Sequence, residues 1–279
     1  MIRMPRLNLA PVTLCAVDTR APALALQSLQ RSMAEVDFAR VLLFTHDWQP
    51  STAAPGIEIV DIGPIASGAA YSQFVLQRLP ALIDSSHVLI TQWDGFIVHP
   101  AAWTDEFLAH DYVGAVWPDK PEGRNVGNGG FSLRSRRLLD AGATLGAGPL
   151  HPEDHVLCAL QRERLEREQG LRFAPSALAR RFAFENEAPR QPTFGFHGPY
   201  HLPRFLDART LASWLDAMPD PFFCGRDARR LARALLARRM PGVAAQLLQR
   251  RRAAGRNDAN TRLLSATAAM LRLFAPHPG

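Results

Sequence analysis

HVLITQWDGFIVHP, residues 87–100, is the stretch that decides how this chain folds. Its apolar run at 88–90 is typical of a strand that is buried on both faces of a sheet. The run leads into Asp94 and Gly95, and in open α/β sheets ligands bind beyond the carboxyl ends of the strands. The dipeptide is therefore either a plain turn or the point where a carboxylate holds a metal ion or a sugar hydroxyl.

Strand-like and helix-like segments alternate through the first part of the chain. This alternation predicts an α/β fold in which helices flank a mostly parallel sheet. The predicted strands are residues 12–17, 40–45, 57–62, 88–90, 112–116 and 131–133. The predicted helices are residues 23–33, 69–83, 105–108, 136–141 and 152–168.

Composition indicates a folded protein without a membrane span. Of the 279 residues, 47% are hydrophobic and 21% are charged, and no apolar run approaches the ~18 residues of a spanning helix. The N-terminus lacks the apolar core of a secretory signal. Cys15, Cys158 and Cys224 are too scattered for a disulfide framework or a zinc pattern. We therefore expect a cytoplasmic protein.

Three further stretches carry polar residues that suit a site. Glycines in the 127–130 segment let a backbone approach a ligand, although a glycine-rich turn explains them equally well. The acids of the 151–155 segment suit either the start of a helix or a general base. His197 lies between an aromatic residue and a glycine. It is either a packed residue or a contact to a metal or phosphate.

Taken together, four motifs resemble a nucleotide-sugar-dependent glycosyltransferase of the GT-A fold, and more narrowly a group of bacterial GT-A-like proteins. The resemblance covers roughly residues 10–203 and implies a GT-A-like, Rossmann-like fold. The motifs are QWDGF at 92–96, VGNGGFSLRSRRLL at 126–139, PEDHVLC at 152–158 and FGFHG at 194–198.

The resemblance implies a divalent metal, Mn²⁺ or Mg²⁺, held by Asp94 and His197. Phe96 stands where the second acid of the family's Asp-x-Asp motif would be. By the same resemblance, Asp154, with Glu153 as second choice, deprotonates the acceptor hydroxyl in an inverting transfer. The implied substrate contacts are Asp18, Thr19, Tyr71, Ser72, Trp93, Asn128, Gly129, Gly130 and Phe131.

The basic character belongs to the C-terminal quarter. Residues 204–279 contain 14 Arg and five Asp, without Lys or Glu, for a net charge of +9, whereas the whole chain carries +6. We predict a glycosyltransferase domain at 1–203 and a basic helical region at 204–279, with helices at 207–218, 227–240, 243–253 and 260–274. These helices either cap the sheet domain, with solvated arginines, or dock peripherally on the anionic inner face of a membrane. Nucleic-acid binding ranks last, because interleaved aromatic residues are missing.

The resemblance therefore predicts an enzyme that moves a sugar from a nucleotide-diphosphate sugar to a glycan or lipid-linked acceptor in bacterial surface-polysaccharide or related glycan assembly. Two alternatives stay open. A non-catalytic nucleotide- or glycan-binding protein would keep the fold without the chemistry. A nucleotidyltransferase would also use a metal and a nucleotide, but it needs an early basic loop, for which Arg20 is the sole candidate.

Overall fold

The computed structural model describes residues 5–146 and 150–273. The chain divides into two compact units, residues 1–197 and 198–279. The domain boundary that we predict after residue 203 stays a prediction. Within the described ranges, no helix combines the length and the apolar character needed to cross a membrane.

The first unit is a mixed α/β structure, which confirms the predicted fold class. Its main sheet has six strands in the order β3-β2-β1-β4-β7-β6, and a small sheet has the order β5-β9-β8. In the main sheet the pairs β3–β2, β2–β1 and β1–β4 are parallel, whereas β7 is antiparallel to both of its neighbours. The strands are β1 (Leu7–Val17), β2 (Val36–Thr45), β3 (Glu58–Asp61), β4 (His87–Thr91), β5 (Gly95–Ile97), β6 (Tyr112–Val113), β7 (Phe131–Ser135), β8 (Ala183–Phe184) and β9 (Gly195–His197).

Helices cover the sheet and pack apolar residues on its two faces. The central strand β4 is buried as predicted, since its three apolar residues are fully inaccessible to solvent. The α-helices of this unit are α1 (Pro22–Ser32), α2 (Gly68–Gln73), α3 (Arg136–Ala143), α4 (Glu153–His155), α5 (Arg162–Gln169) and α6 (Ser176–Phe182). Short 3-10 helices lie at Leu79–Leu82, Pro100–Ala102 and Asp105–Ala109.

Three predicted elements differ in the structure. The helix predicted at 69–83 is α2 followed by a π-helical turn and a 3-10 helix, because Pro80 cannot donate the hydrogen bond that an α-helix needs. The helix predicted at 152–168 is likewise divided by a π-helical turn at Val156–Leu160. The strand predicted at 112–116 ends at Val113, where Gly114 packs so closely on the Gly127 carbonyl that no β-carbon fits.

The second unit is helical. Its helices are α7 (Ala208–Ala217), α8 (Asp220–Cys224), α9 (Arg226–Ala237), α10 (Pro241–Ala253) and α11 (Ala259–Leu273). The end of the predicted last helix, at residue 274, lies outside the described residues. The alanines and leucines on one face of α9 are buried, and α9 contacts α10 and α11. An amphipathic helix thus buries its apolar face within the unit.

Candidate functional site

A cleft of about 380 Å³ opens at the ends of β1 and β4, where the order of the strands along the main sheet reverses. The strand β1 has β2 as its other neighbour, and β4 has β7, so the chain continues from β1 toward one edge of the sheet and from β4 toward the other. Such a switch point leaves a crevice beyond the carboxyl ends of the two strands. Among the predicted site residues, the cleft is lined by Asp18, Thr19, Tyr71, Trp93, Asn128, Gly129, Gly130, Glu153, Asp154 and His197.

The small sheet gathers three ionisable residues that are far apart in sequence. Gly95 of β5 pairs with His197 of β9, which places Asp94 beside the imidazole. Phe184 of β8 pairs with its neighbour in β9, so Glu185 follows on the other side of the same ring. The backbone pairing of three short strands therefore determines which side chains meet.

His197 lies between two carboxylates. Its Nε2 is 3.3 Å from Asp94 Oδ1, and its Nδ1 is 3.4 Å from Glu185 Oε1. Burial by itself lowers the pKa of His197, but the charges and hydrogen bonds of the two carboxylates outweigh burial and raise this pKa well above its usual value. The two carboxylates therefore favour the protonated form of the ring.

The turn that carries Asp94 places a second side-chain oxygen, that of Gln92, beside His197 Nε2. Gln92 Oε1 is 3.3 Å from His197 Nε2, and the Gln92 amide nitrogen donates to Tyr71 Oη at 3.4 Å. Asp94 Oδ1 is buried and accepts no well-aligned hydrogen bond from the described residues. The absence of a side chain at Gly130 leaves space for the His197 ring, because a β-carbon there would lie 2.1 Å from His197 Nε2.

The glycine-rich stretch lines the cleft directly beside His197 and Glu185. Asn128 adopts φ 67°, a left-handed conformation that asparagine tolerates better than most residues. Its amide oxygen accepts from the Gly130 N–H at 3.2 Å, and its amide nitrogen donates to Glu185 Oε2 at 2.5 Å. Asn128 thus holds both its own loop and the carboxylate that faces His197.

The two adjacent acids at the start of α4 have different surroundings. Glu153 is buried, accepts from the Arg134 guanidinium at 2.9 Å and contacts Ser72. Asp154 is more exposed, and its two oxygens accept from the Gly129 and His155 N–H groups, both at 2.8 Å. A carboxylate oxygen has two lone pairs, so Asp154 keeps acceptor capacity toward the cleft while Glu153 is held in an ion pair.

The central part of the chain matches a family model. The model, described as "Protein of unknown function (DUF5672)", covers residues 56–197. The chain belongs to this family. The DUF5672 segment extends from the start of β3 to the end of β9, so it contains the cleft residues described above apart from those that follow β1. No curated protein matches the chain at a significant level.

Solved structures with a similar arrangement include nucleotide-dependent transferases. A glucosyl-3-phosphoglycerate synthase from Mycobacterium tuberculosis, in complex with Mn²⁺, is 15% identical, with a TM-score of 0.41, over 58% of this chain and 68% of that one. The mannosyltransferase PcManGT from Pyrobaculum calidifontis, in complex with GDP-Man and Mn²⁺, is 14% identical (TM-score 0.37; 99% and 85%). A cytidylyltransferase from Thermus thermophilus is 17% identical (TM-score 0.35; 63% and 93%).

Two of the predicted substrate contacts in the DUF5672 segment need correction. Ser72 is fully buried because it bonds to His151 and Glu153. Phe131 is fully buried because it packs on Phe182 and Phe194. Neither side chain lines the cleft, and both pack beneath the residues that do.

The sequence analysis missed the site roles of Glu185, Gln92 and Arg134. Glu185 directly follows an aromatic strand, as Asp94 follows β4, and that position was the available signal. Gln92 lies inside the quoted motif, but an amide is a weaker signal for a site than an acid. Arg134 gave no signal, because an arginine in a strand is ordinarily solvent-exposed, whereas this one is 1% exposed.

Proposed function

We propose that the chain is a metal-dependent glycosyltransferase that moves a sugar, with inversion, from a nucleotide-diphosphate sugar to a hydroxyl of a glycan or lipid-linked acceptor. The cleft supports this function because it combines two chemically distinct groups at the sheet's switch point. One is His197 with the buried Asp94 beside it, and the other is Asp154, whose carboxylate accepts from the Gly129 N–H. This pairing of a cation site with a base is the observation that carries the proposal.

The charge of the cleft favours a metal-bound donor. Four lining residues are carboxylates (Asp18, Glu153, Asp154 and Glu185), whereas the one lining arginine among the described residues is Arg20. A diphosphate would be repelled by this surface unless a divalent cation accompanied it.

The residues present fit such a cation. No group of three or more histidine, cysteine or carboxylate side chains within the described ranges is arranged around one point. A mixed set of Asp94 Oδ1, Gln92 Oε1 and His197 Nε2 is available instead, and its carboxylate and carbonyl oxygens are ligands that suit Mn²⁺. Glu185 would accept the Nδ1 proton and orient the ring, as carboxylates commonly do for metal-bound histidines.

In the proposed reaction, Asp154 accepts the proton of the acceptor hydroxyl as that oxygen attacks the anomeric carbon. The Gly129 N–H fixes one carboxylate oxygen, so the base is positioned by backbone rather than by a flexible side chain. Asp18 and Thr19, at the end of β1, contact the nucleotide. Asp94 and His197 would hold the cation, which would neutralise the charge that develops on the leaving diphosphate.

One observation favours the alternative of a non-catalytic binding protein. Phe96 occupies the place of a second acid and is 3% exposed, packed edge-on against Phe196 at 4.8 Å. The core therefore fills a position that would otherwise supply a metal ligand. A cation held by one carboxylate binds more weakly than one held by two.

Turnover separates these functions. Purified protein is incubated with a panel of nucleotide-diphosphate sugars, with Mn²⁺ or with EDTA, and release of the nucleoside diphosphate is measured. Metal-dependent release supports the transferase, and binding without release supports the binding protein. Pyrophosphate release from a nucleoside triphosphate and a sugar phosphate would contradict the proposal in favour of a nucleotidyltransferase.

In the proposed cellular setting, bacterial surface-polysaccharide or related glycan assembly, the enzyme is cytoplasmic and its basic C-terminal helices contact the inner face of an anionic membrane.

A further inference from the structure

The C-terminal unit contains a second cavity that the proposed reaction does not use. A groove of about 370 Å³, which we call the arginine groove, lies between the 3-10 helix Pro199–Arg204 and α9. Cavities of ~300–1,000 Å³ are typical of small-molecule sites. Its lining includes four arginines: Arg204, Arg230, Arg233 and Arg238.

The arginine groove concentrates positive charge. Its lining contains no carboxylate among the described residues, and Arg230 pairs with Asp227 at 3.6 Å, within α9. Burial and then the charge of Arg238 lower the pKa of Arg204. Like charges are therefore held together at a cost that a bound anion would relieve.

Other arginines of the same unit have a structural use that Arg233 and Arg238 lack. The guanidinium of Arg251 is buried and donates to the Phe223 and Gly225 carbonyls. By contrast, Arg233 and Arg238 are exposed and form no hydrogen bond or ion pair within the described part of the chain. Their positions on the groove are thus not explained by packing of the helices.

An aromatic side chain orients one of the groove arginines. The Arg230 guanidinium carbon lies 3.4 Å from the centre of the Tyr200 ring, and the neighbouring His201 ring is 4.5 Å from Tyr200. Stacking fixes the plane of a guanidinium and leaves its N–H groups directed outward at the edges. Arg230 also pairs with Asp227, so the donors that a phosphate group would engage are chiefly those of Arg233 and Arg238.

We infer that the arginine groove binds a phosphate-bearing ligand, either a phosphorylated small molecule or the headgroup of an anionic phospholipid. Phosphate fits the groove better than carboxylate does, because its three oxygens can engage several guanidinium groups at once. A nucleic-acid strand fits less well, since the face of Tyr200 is covered by Arg230 and offers no platform for a base.

Calorimetric titration of the whole protein with pyrophosphate in EDTA tests the inference, because EDTA removes cation-dependent binding in the cleft. The double variant Arg233→Gln/Arg238→Gln should bind about tenfold more weakly or worse, since each lost charge-assisted pair is a substantial fraction of the affinity. The matched control, Arg256→Gln/Arg262→Gln, removes the same charge from exposed positions of the same unit outside the groove. It should bind like the unaltered protein.

Co-sedimentation with phosphatidylcholine vesicles, with and without phosphatidic acid, identifies the source of the phosphate. If the protein binds the vesicles with phosphatidic acid but not those without it, and the groove variant loses this binding, the ligand is a lipid headgroup. Pyrophosphate binding that the groove variant loses supports a soluble ligand. Equal binding by the groove variant and the unaltered protein, an equal loss in the control variant, or no binding to either probe would overturn the inference. Mn²⁺-dependent nucleotide binding in the cleft should be unchanged in the groove variant, which separates this test from that of the proposed function.

Discussion

Asp94 and His197 lie side by side, with Oδ1 and Nε2 3.3 Å apart, although they are far apart in the DUF5672 segment. Ligands that share one octahedral cation at ~2.1 Å are about 3 Å from each other. The pair is therefore spaced as two ligands of one cation would be. Because a ligating imidazole nitrogen must be deprotonated, a cation at this place would compete with a proton on Nε2.

Glu185 should control metal affinity without being a ligand. We expect Glu185→Gln to weaken Mn²⁺ binding about 10–100-fold, since the amide orients the ring but no longer attracts the Nδ1 proton. Calorimetric titration with Mn²⁺ measures this. Glu187, the next acid along, pairs with Arg180, so Glu187→Gln serves as the control. Unchanged affinity in Glu185→Gln would remove Glu185 from the site.

Gly130 should be irreplaceable for steric reasons. A β-carbon at this position would lie 2.1 Å from His197 Nε2, so Gly130→Ala must displace the ring or shift the backbone. We expect a loss of about 1–3 kcal/mol in the free energy of unfolding, together with loss of Mn²⁺ binding. Gly146→Ala is the control, because its β-carbon meets nothing within 4 Å. Retention of full Mn²⁺ affinity by Gly130→Ala would contradict the assigned geometry.

Asp154 should affect transfer and leave donor binding nearly intact. We expect Asp154→Asn to lower kcat about 10²–10⁴-fold, the usual contribution of a general base. The dissociation constant of the donor should change little, because the amide oxygen still accepts the Gly129 hydrogen bond. A kcat equal to that of the unaltered protein would show that Asp154 is not the base.

The carboxylate of Asp18 should lower the stability of the folded protein at neutral pH while it contributes to donor binding. Burial raises the pKa of its carboxyl above 3.8, against the hydrogen bonds that Ala21 and Arg20 donate. Because the folded-state pKa lies above the unfolded value, the stability linked to this group is present below about pH 3.8 and is lost as the pH rises through the folded-state pKa.

It follows that Asp18→Asn, which keeps the acceptor oxygen, should melt at a higher temperature than the unaltered protein at pH 7. The advantage should vanish below about pH 3.8, and donor binding should be weaker throughout. Thermal melts across this pH range measure the difference. A variant that is less stable at pH 7 would contradict the assigned burial cost.

The sequence was sufficient for the main sheet. The apolar runs at 12–17, 40–45 and 88–90 are strands because continuous burial on two faces leaves a local signature that needs no knowledge of partners. The small sheet left a weaker signal. Its strands β5, β8 and β9 contain two or three residues each, too few for periodicity to be read, and their pairing depends on tertiary contacts.

A site residue could be predicted where it follows a recognisable strand. It could not be predicted where its role depends on which side chains become buried together in the fold. Asp18 and Asp94 each come shortly after a buried apolar run, so their location at the edge of the sheet could be inferred. Ser72 resembled a cleft residue because it begins a helix, yet its hydroxyl turns inward to the buried Glu153. The ion pair of Glu153 with Arg134 has no local signature, since only the fold brings a strand arginine under a helix start.

The most direct test of the central claim is a titration with nucleoside diphosphates and Mn²⁺ of three proteins: the unaltered chain, Asp94→Asn and His197→Gln. The account predicts that the unaltered protein binds one nucleoside diphosphate with Mn²⁺ and loses that binding in EDTA, and that each variant fails to bind although it remains folded. Equal binding in EDTA, or unchanged Mn²⁺-dependent binding by both variants, would show that Asp94 and His197 do not hold the cation.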